Sequence, residues 1–522
     1  MLKSIVNMWA MINKSLQKGF VLFLLLFGKQ LFPQKNGFFE VIKDMEHKSM
    51  EPLDIIETQN GDFFVVANEL NKTKSKFIKL DARGHLTKET TIAMTDTLLR
   101  FTNVFQAEYD DTDDPRYFVL GTCRNASGGG AAFVTMVVDD NLNIMRCRTE
   151  PIPFTENNPL VVSFIPFLEG FVAGVSFYNT AKPYLVMLSQ EGAITKYQEC
   201  DLDSLSLITN LFAIHDNPCQ IGMFARATTS PQASAGVLVF DSTFSLVERA
   251  CFAPFQSIGD NGNLLFSYLF PTQSLMLPLP DGNYAISAKL LEKEVNGIFN
   301  VHDDRSVLFI KTDDSFNIID EGIVIGHFND TIDVPAPYKS VSITKDGNIY
   351  QCSNSGLIDF PANQFNPDAH LIVTKTDMNL NVAWQRRFLQ DSDAYVSFSS
   401  SPTADGGCIV VGTVYDLNPE ERLDIFVLKI NAEGTVGIKE VLVEDVRPYA
   451  YYPNPAKNEL RLKYSPDVNP TQIELFDLQG RLVRSQLNSL ETINLQNITT
   501  GTYIIRIAFE DGKVFSDKVV KE

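Results

Sequence analysis

The chain has 522 residues, enough for two or three domains, with 44% hydrophobic residues and a formal net charge of −20. This apolar content excludes a disordered chain. The body also lacks Lys/Arg-rich runs, which argues against nucleic acid and anionic membrane surfaces as partners. Phe is abundant (38) and Trp is rare (2), and short runs of Val, Ile, Phe and Thr are typical of β structure.

The N-terminus has the pattern of an export signal. Lys14 and Lys18 precede an apolar run, Phe20–Phe27. The run is shorter than the roughly 20 residues that a membrane-spanning helix needs, and it lies where the apolar region of a signal peptide lies. We predict a signal peptide at residues 1–34, with Met8 or Met11 as alternative starts. A buried N-terminal helix is the competing interpretation.

A two-part repeat fills the body of the chain between residues 53 and 443. Its first part is a turn, containing Gly in the clearest copies, followed by an apolar strand. The clearest copies are Asn60–Val66, Asp281–Ile286, Asp346–Tyr350 and Asp405–Gly412. Weaker copies are Arg116–Gly121, Glu169–Gly174 and Cys219–Phe224. Such turn residues supply the backbone angles that a hairpin needs.

The second part of the repeat is an apolar strand that ends in an acidic or polar turn. Its copies are Phe77–Gly84, Phe133–Asp139, Tyr184–Gly192, Val237–Asp241, Leu308–Asp313, Leu371–Asp377 and Ile425–Gly434. With a strand-like stretch before the first part and another after the second, each unit has four strands. Near-continuous apolar runs fit strands buried on both faces.

We therefore predict an all-β fold whose residues 35–446 form a β-propeller of seven four-stranded blades. Blade counts of six and eight are the alternatives, because the unit between Asp241 and Asp313 is long enough for an insertion from Phe255 to Pro271. Phe38–Ile42 is a candidate closing strand. Two stacked β domains are the competing architecture. The repeat pattern, clearest in residues 405–434, resembles that of the loosely repetitive propellers of secreted Bacteroidetes proteins. The propeller fold of this family does not by itself indicate a function.

Catalytic and metal-binding signatures are weak in this sequence. No G-x-S-x-G, H-E-x-x-H or Walker-type loop is present, the six His residues are scattered, and no cofactor is expected. Most of the seven Cys residues fall in apolar runs and are interpreted as buried. An acidic loop offers carboxylates for Ca²⁺, although a solvated inter-strand loop is the better interpretation. The metal candidates are Asp110, Asp111, Asp113 and Asp114.

A separate module, predicted at residues 447–522, has about six short strands with turn residues between them, as in a small immunoglobulin-like sandwich. Its motifs resemble the C-terminal sorting domain of the type IX secretion system. The matching residues are Pro453, Asn454, Pro455, Asp477, Gly480, Arg481, Gly501, Tyr503 and Lys518. The resemblance implies passage through the type IX translocon, removal of the domain by a surface sortase, and attachment to anionic lipopolysaccharide or release. An adhesive immunoglobulin-like module is the alternative.

These expectations combine into a hypothesis about function. An exported propeller without a catalytic motif is expected to bind a glycan or protein through one end of its channel, at the outer cell surface or after release. A secreted hydrolase or lyase acting on polysaccharide is one alternative, which a carboxylate cluster with an aromatic platform in the channel would favour. A structural surface component is the other.

Overall fold

A computed structural model describes most of the chain from residue 37 onward, and every regular element in the described residues is a β-strand. The described ranges are 37–43, 49–71, 73–107, 115–126, 130–153, 159–177, 183–201, 207–214, 217–226, 235–252, 256–258, 264–269, 274–292, 304–325, 332–357, 369–389, 393–416, 423–436, 442–445, 449–453, 455–464, 469–477, 481–488, 490–510 and 514–522. The predicted signal peptide lies outside them. Within these ranges no helix is long and apolar enough to cross a bilayer.

The body begins with β1 (Phe38–Ile42), which is followed by four separate sheets of four antiparallel strands. The first two sheets contain β2 (Met50–Glu57), β3 (Phe63–Glu69), β4 (Lys74–Leu80), β5 (Leu86–Ala93), and β6 (Thr97–Ala107), β7 (Arg116–Asn125), β8 (Ala131–Asp139), β9 (Ile144–Pro151). The next two contain β10 (Pro159–Phe167), β11 (Gly170–Phe177), β12 (Tyr184–Ser189), β13 (Ile194–Glu199), and β14 (Leu207–Ala213), β15 (Gln220–Arg226), β16 (Ala235–Asp241), β17 (Leu246–Phe252).

The next part of the body is one twelve-stranded sheet that contains two further four-stranded sets, β20–β23 and β25–β28. Its strands are β18 (Gln256–Ile258), β19 (Leu264–Leu269), β20 (Leu275–Pro278), β21 (Tyr284–Glu292), β22 (Asp304–Thr312), β23 (Ile318–Ile325), β24 (Ile332–Pro335), β25 (Val341–Ile343), β26 (Ile349–Leu357), β27 (His370–Thr376), β28 (Val382–Leu389) and, later in the chain, β32 (Leu442–Asp445). The sets merge because β24 pairs with both β22 and β26. The predicted insertion contains the hairpin β18–β19, which extends the sheet by pairing with β21.

The last set of the body joins both ends of the repeat. Strands β29 (Asp393–Pro402), β30 (Cys408–Asp416) and β31 (Leu423–Ile430) form three of its strands, and β1 supplies the fourth by pairing with β31. Phe38 is the register partner of Lys429, and Ile42 that of Ile425. The closing role predicted for Phe38–Ile42 is confirmed.

The sets, numbered 1–7 in chain order, form a ring. Sets 5 and 6 are joined by β24 and by a shared apolar cluster, and the first strands of the other neighbouring sets contact one another in order. Strand β2 contacts β6, β6 contacts β10, β10 contacts β14, and β14 contacts β20. Strand β25 contacts β29, and β29 contacts β2 again. Separate apolar clusters fill the spaces between neighbouring sets. This is a β-propeller with its first strands around the axis. Since hydrogen bonding merges sets 5 and 6, the number of blades stays a prediction.

The turns after the third strands of the sets share one backbone conformation. In the turn after β8, Asp139 Oδ1 accepts the backbone N–H groups of Asn141 and Asn143, at 2.9 and 2.8 Å. The fourth turn residue has a positive φ in all seven sets. Three of these residues are Gly, which adopts this angle without strain, and four are buried apolar residues. They are Gly84, Leu142, Gly192, Phe244, Phe316, Leu380 and Gly434.

Lysines on the third strands connect neighbouring sets through the same turns. Lys79 Nζ in set 1 donates to the Asp140 carbonyl of set 2 at 2.9 Å. Lys311 and Lys375 repeat this contact from sets 5 and 6, at 2.7 and 2.9 Å, and the acceptor is again the second residue of the neighbour's turn. Lys311 also pairs with Asp281, the first residue of its own Asp-Gly turn, at 2.7 Å. These three lysines therefore join neighbouring sets.

The C-terminal module consists of two small antiparallel sheets that share one apolar core. One sheet contains β33 (Tyr449–Tyr452), β34 (Glu459–Tyr464) and β37 (Thr492–Asn494). The other has the order β36 (Leu482–Gln486), β35 (Pro470–Asp477), β38 (Gly501–Phe509), β39 (Val514–Lys521). Its immunoglobulin-like topology and the boundary at residue 447 stay predictions.

Ring closure by β1 is expected to contribute a large share of the stability of the body. Phe39 is 8% exposed, and its ring centroid lies 5.8 Å from that of Tyr395 and 6.1 Å from that of Phe426. Phe39→Ala should lower the free energy of unfolding by about 3 kcal/mol through lost contacts and a cavity. Urea unfolding measures this. Leu86→Ala, at a half-exposed position, is the control and should cost less than about 0.5 kcal/mol.

Candidate functional site

A group of charged and aromatic side chains lies where several first strands meet. We define the channel cluster as Glu51 and Asp54 on β2, Arg100 on β6, and Tyr338 and Lys339 just before β25. These residues belong to sets 1, 2 and 6. In a ring, sets that are not neighbours approach each other only at the axis, so the contacts described next place the cluster in the channel.

Asp54 is the fully buried anion of the channel cluster. Lys339 Nζ lies 2.7 Å from its Oδ1 and 2.8 Å from its Oδ2. The backbone N–H groups of Ile55 and Val104 donate to the two oxygens, each at 2.9 Å. Each of the two carboxylate oxygens thus accepts two hydrogen bonds. A buried carboxylate needs such pairing, because burial removes its hydration.

Tyr338 is the centre of the second half of the cluster. Its hydroxyl donates to Glu51 Oε1 at 2.8 Å and accepts from Arg100 Nη2 at 2.7 Å. Burial raises the pKa of the Tyr338 phenol, an effect that the Glu51 carboxylate strengthens and the Arg100 guanidinium opposes. The phenol is therefore protonated at neutral pH, as its hydrogen bond to Glu51 requires.

Aromatic rings surround these polar groups. The Tyr338 ring stacks on Phe398 of set 7 with centroids 5.9 Å apart, and Arg100 Cζ lies 5.7 Å from the Tyr338 centroid. Lys339 Nζ lies 5.9 Å from the Phe105 centroid. Except for buried Asp54 and Phe398, these side chains are only half-buried. The channel thus offers aromatic faces beside hydrogen-bonding groups, the composition of many ligand sites.

Sequence reasoning did not identify the channel cluster, although one clue was present. Glu51 and Asp54 lie on either side of Pro52 and Leu53, where the first strand of the unit is predicted. A charged side chain that such a strand buries requires a partner. Lys339 lies 285 residues away from Asp54, and no local pattern connects the two.

The metal candidates Asp110, Asp111, Asp113 and Asp114 lie outside the described residues. Within the described ranges, no three His, Cys, Asp or Glu side chains are placed to hold a metal ion. All seven cysteines are free thiols, and four of them are buried: Cys123, Cys200, Cys352 and Cys408.

The sorting-domain motif residues are partly brought together. Asp477 Oδ1 accepts the backbone N–H of Arg481 at 2.9 Å, and Oδ2 accepts its Nε at 2.6 Å. Asp477 is also the register partner of Tyr503, whose hydroxyl donates to the Thr499 carbonyl at 2.7 Å. The motif aspartate thus closes the turn between β35 and β36, and the motif tyrosine holds the loop before β38.

These motif residues line one pocket of about 440 Å³ in the C-terminal module. Its walls include Asp477, Arg481, Gly501 and Tyr503, together with Val483. The Arg481 side chain is 78% exposed, whereas Tyr503 is buried. The pocket therefore has a mixed polar and apolar lining, with the exposed Arg481 side chain, paired with Asp477, beside the buried Tyr503.

The other motif residues lie away from this pocket or outside the description. Pro453 is exposed, and Pro455 is half-buried. The residue after Pro455, Ala456, forms an isolated parallel β-bridge with Lys521. Lys518 lies on β39 opposite Ile504. Asn454 and Gly480 are outside the described residues.

The chain is similar in shape to several solved structures at low identity. The endosialidase of phage phi92 has a TM-score of 0.37 at 9% identity, over 93% of this chain and 79% of that one. The GH93 α-L-arabinofuranosidase of Fusarium graminearum has a TM-score of 0.38 at 9% identity, over 77% and 98%. A quinonprotein alcohol dehydrogenase-like protein from Bacteroides thetaiotaomicron has a TM-score of 0.35 at 10% identity, over 66% of each chain.

Sequence comparison identifies the C-terminal module. No curated protein matches the chain. Residues 450–522 match the secretion system C-terminal sorting domain. This agrees with the resemblance carried by the Pro-Asn-Pro opening, the Asp477 turn and the Gly501–Tyr503 strand. The chain therefore carries a type IX secretion sorting domain behind a β-propeller, and the protein is a cargo of that system, exported to the cell surface or secreted.

Proposed function

We propose that the propeller is a carbohydrate-binding protein that holds a glycan segment at the channel cluster. The observation that carries the proposal is the convergence of half-buried Arg100, Tyr338 and Glu51 with the Phe105 ring on the axis. Sugar rings present apolar faces and many hydroxyl groups. A site that sets aromatic faces beside fixed donors and acceptors suits this chemistry.

The state of the two carboxylates favours binding over hydrolysis. Glycoside hydrolysis requires one carboxyl group to donate a proton and another to act as base or nucleophile. Asp54 is 0% exposed and already accepts four hydrogen bonds, so a substrate cannot approach it. Glu51 is engaged by the Tyr338 hydroxyl.

The charge distribution favours a neutral glycan. Residues 447–522 contain ten Lys and Arg against nine Asp and Glu, so the residues before them contain 34 against 55. A body with this excess of negative charge repels polyanions at long range. Attachment of the body to anionic lipopolysaccharide, which the sorting domain resemblance implies, therefore needs the sortase step and is part of the proposal.

The full-length protein should bind neutral glycans on an array, and two variants should weaken that binding. Arg100→Met removes the hydrogen bond from Arg100 to Tyr338. Tyr338→Phe removes that hydrogen bond and the one that Tyr338 donates to Glu51. Each should raise the Kd by about tenfold, the factor for 1.4 kcal/mol. Arg148→Met is the matched control, because exposed Arg148 pairs with Glu150 on the same outer strand, away from the cluster.

Three results would contradict this proposal. Wild-type protein that binds no neutral glycan would favour the structural surface component. Variants that bind like the wild type would place the ligand away from the channel. Cleaved products in mass spectra of the array glycans would favour the polysaccharide hydrolase or lyase.

A further inference from the structure

The sorting domain has an open sheet edge that carries exposed apolar side chains. Strand β36 pairs only with β35 among the described residues. Leu482 and Val483 on this strand are 53% and 40% exposed, and Leu487 just after it is 66% exposed. Edge strands present unpaired backbone groups, and proteins usually protect them with charges, Pro or a covering element. Such an edge can accept a further strand, and its exposed apolar side chains would pack against that strand.

The motif pocket adjoins this edge. Val483 and Arg481 line the pocket, whose floor includes Tyr503 and Ile498. Arg481 donates through Nε to Asp477, and a guanidinium has five N–H donors in all. A partner strand along β36 would thus meet, at the start of the strand, a recess lined in part by Val483 and Ile498 and the exposed Arg481 side chain beside it.

We propose that the β36 edge and the motif pocket form the docking surface for an extended segment of the secretion machinery. The segment adds to the sheet as a further strand, inserts an apolar side chain into the pocket and places a carboxylate on Arg481. The match of residues 450–522 to a secretion sorting domain makes this machinery the partner that the surface must meet. Strand addition supplies affinity through the backbone and specificity through the side-chain pocket.

A second copy of this chain fits the edge less well. Residues 481–488 contain Arg481 and Arg484 and no carboxylate. Pairing two such edges would bring four cations together, and like charges across a strand pair are destabilising. An acidic, apolar segment of another protein complements the edge.

Export of the full chain in a host that has the type IX system tests the proposal. Two variants, Val483→Ser/Leu487→Ser and Arg481→Gln, should each reduce the amount of protein outside the outer membrane by at least about tenfold, with accumulation in the periplasm. The matched control is Leu246→Ser/Val247→Ser, because these residues are 49% and 53% exposed on an outer strand of the body. The control should be exported normally.

A second measurement keeps the test independent of folding. A photo-reactive residue at exposed Ser485 of the otherwise native chain should cross-link to a protein of the secretion machinery. Protease resistance of the periplasmic protein checks that each variant is folded. Normal export of both folded variants would overturn the proposal. A cross-link found only to a second copy of this chain would also overturn it, because the edge would then be a dimer surface.

Discussion

Deletion of residues 449–522 should abolish delivery of the protein to the cell surface or the medium, with a loss of more than about a hundredfold. The sorting domain is the part of the chain that matches a secretion signal, at residues 450–522. Its apolar core lies within its own two sheets, so the body keeps its packing when the module is removed. The truncated protein should accumulate in the periplasm as a folded, protease-resistant propeller. Cell fractionation and immunoblotting measure the distribution.

The reciprocal chimaera is the control for this deletion. Residues 447–522 joined to a folded periplasmic reporter should bring that reporter to the surface or the medium. Surface display of the truncated protein at the wild-type level would contradict the role of the domain. Failure of the chimaera would show that the body also carries export information.

Lys339→Met should lower the free energy of unfolding of the body by about 3 kcal/mol. The substitution leaves the Asp54 carboxylate fully buried without the ammonium group that lies 2.7 Å from it. The two backbone donors remain, but they do not balance a buried charge. Methionine keeps most of the side-chain volume, so a packing defect contributes little. Urea unfolding followed by the fluorescence of Trp384 measures the change, because Trp384 packs against a core cluster of the body.

Lys345→Met is the matched control for this substitution. Lys345 is exposed in the turn between β25 and β26, and its loss should change the stability by less than about 0.5 kcal/mol. A loss of similar size in both variants would mean that the Asp54 pair is not a stabilising contact. A stable Lys339→Met protein with weaker glycan binding would instead assign Lys339 to the ligand.

The strands of the body were easiest to predict where an Asn-Gly or Asp-Gly turn precedes the second strand of a set. Sets 1, 5, 6 and 7 carry Asn-Gly or Asp-Gly turns, and these were the clear copies. The weak copies belong to sets 2, 3 and 4. A separate irregularity lies in the turns after the third strands. Sets 2, 4, 5 and 6 have an apolar residue, such as Leu142 or Phe244, at the left-handed position that Gly holds in sets 1, 3 and 7. Both side chains are inserted into the core, at 1% and 0% exposure, and their packing offsets the backbone strain.

The channel cluster was not predictable, because it depends on which sets the ring brings together. Tyr338 and Glu51 are 287 residues apart in the chain. Neither the period of the strands nor the composition of a turn indicates that these two residues meet. The positions of the sorting-motif residues were predictable, since the motif consists of short sequence patterns. That several of these residues line one pocket was not predictable, because it depends on the pairing of β35 with β38, which places Asp477 opposite Tyr503.

The pairing of β1 with β31 sets an order of events during export. Phe38 and Lys429 are register partners, so the ring cannot close until about 390 residues between them have crossed the inner membrane. Bringing such distant ends together costs about 5 kcal/mol of chain entropy, which the final set recovers only when all four strands are present. The sorting domain follows directly after this last set. A chain that presents its sorting domain to the translocon has therefore already received every strand of the propeller, and partly made chains lack the module that would export them.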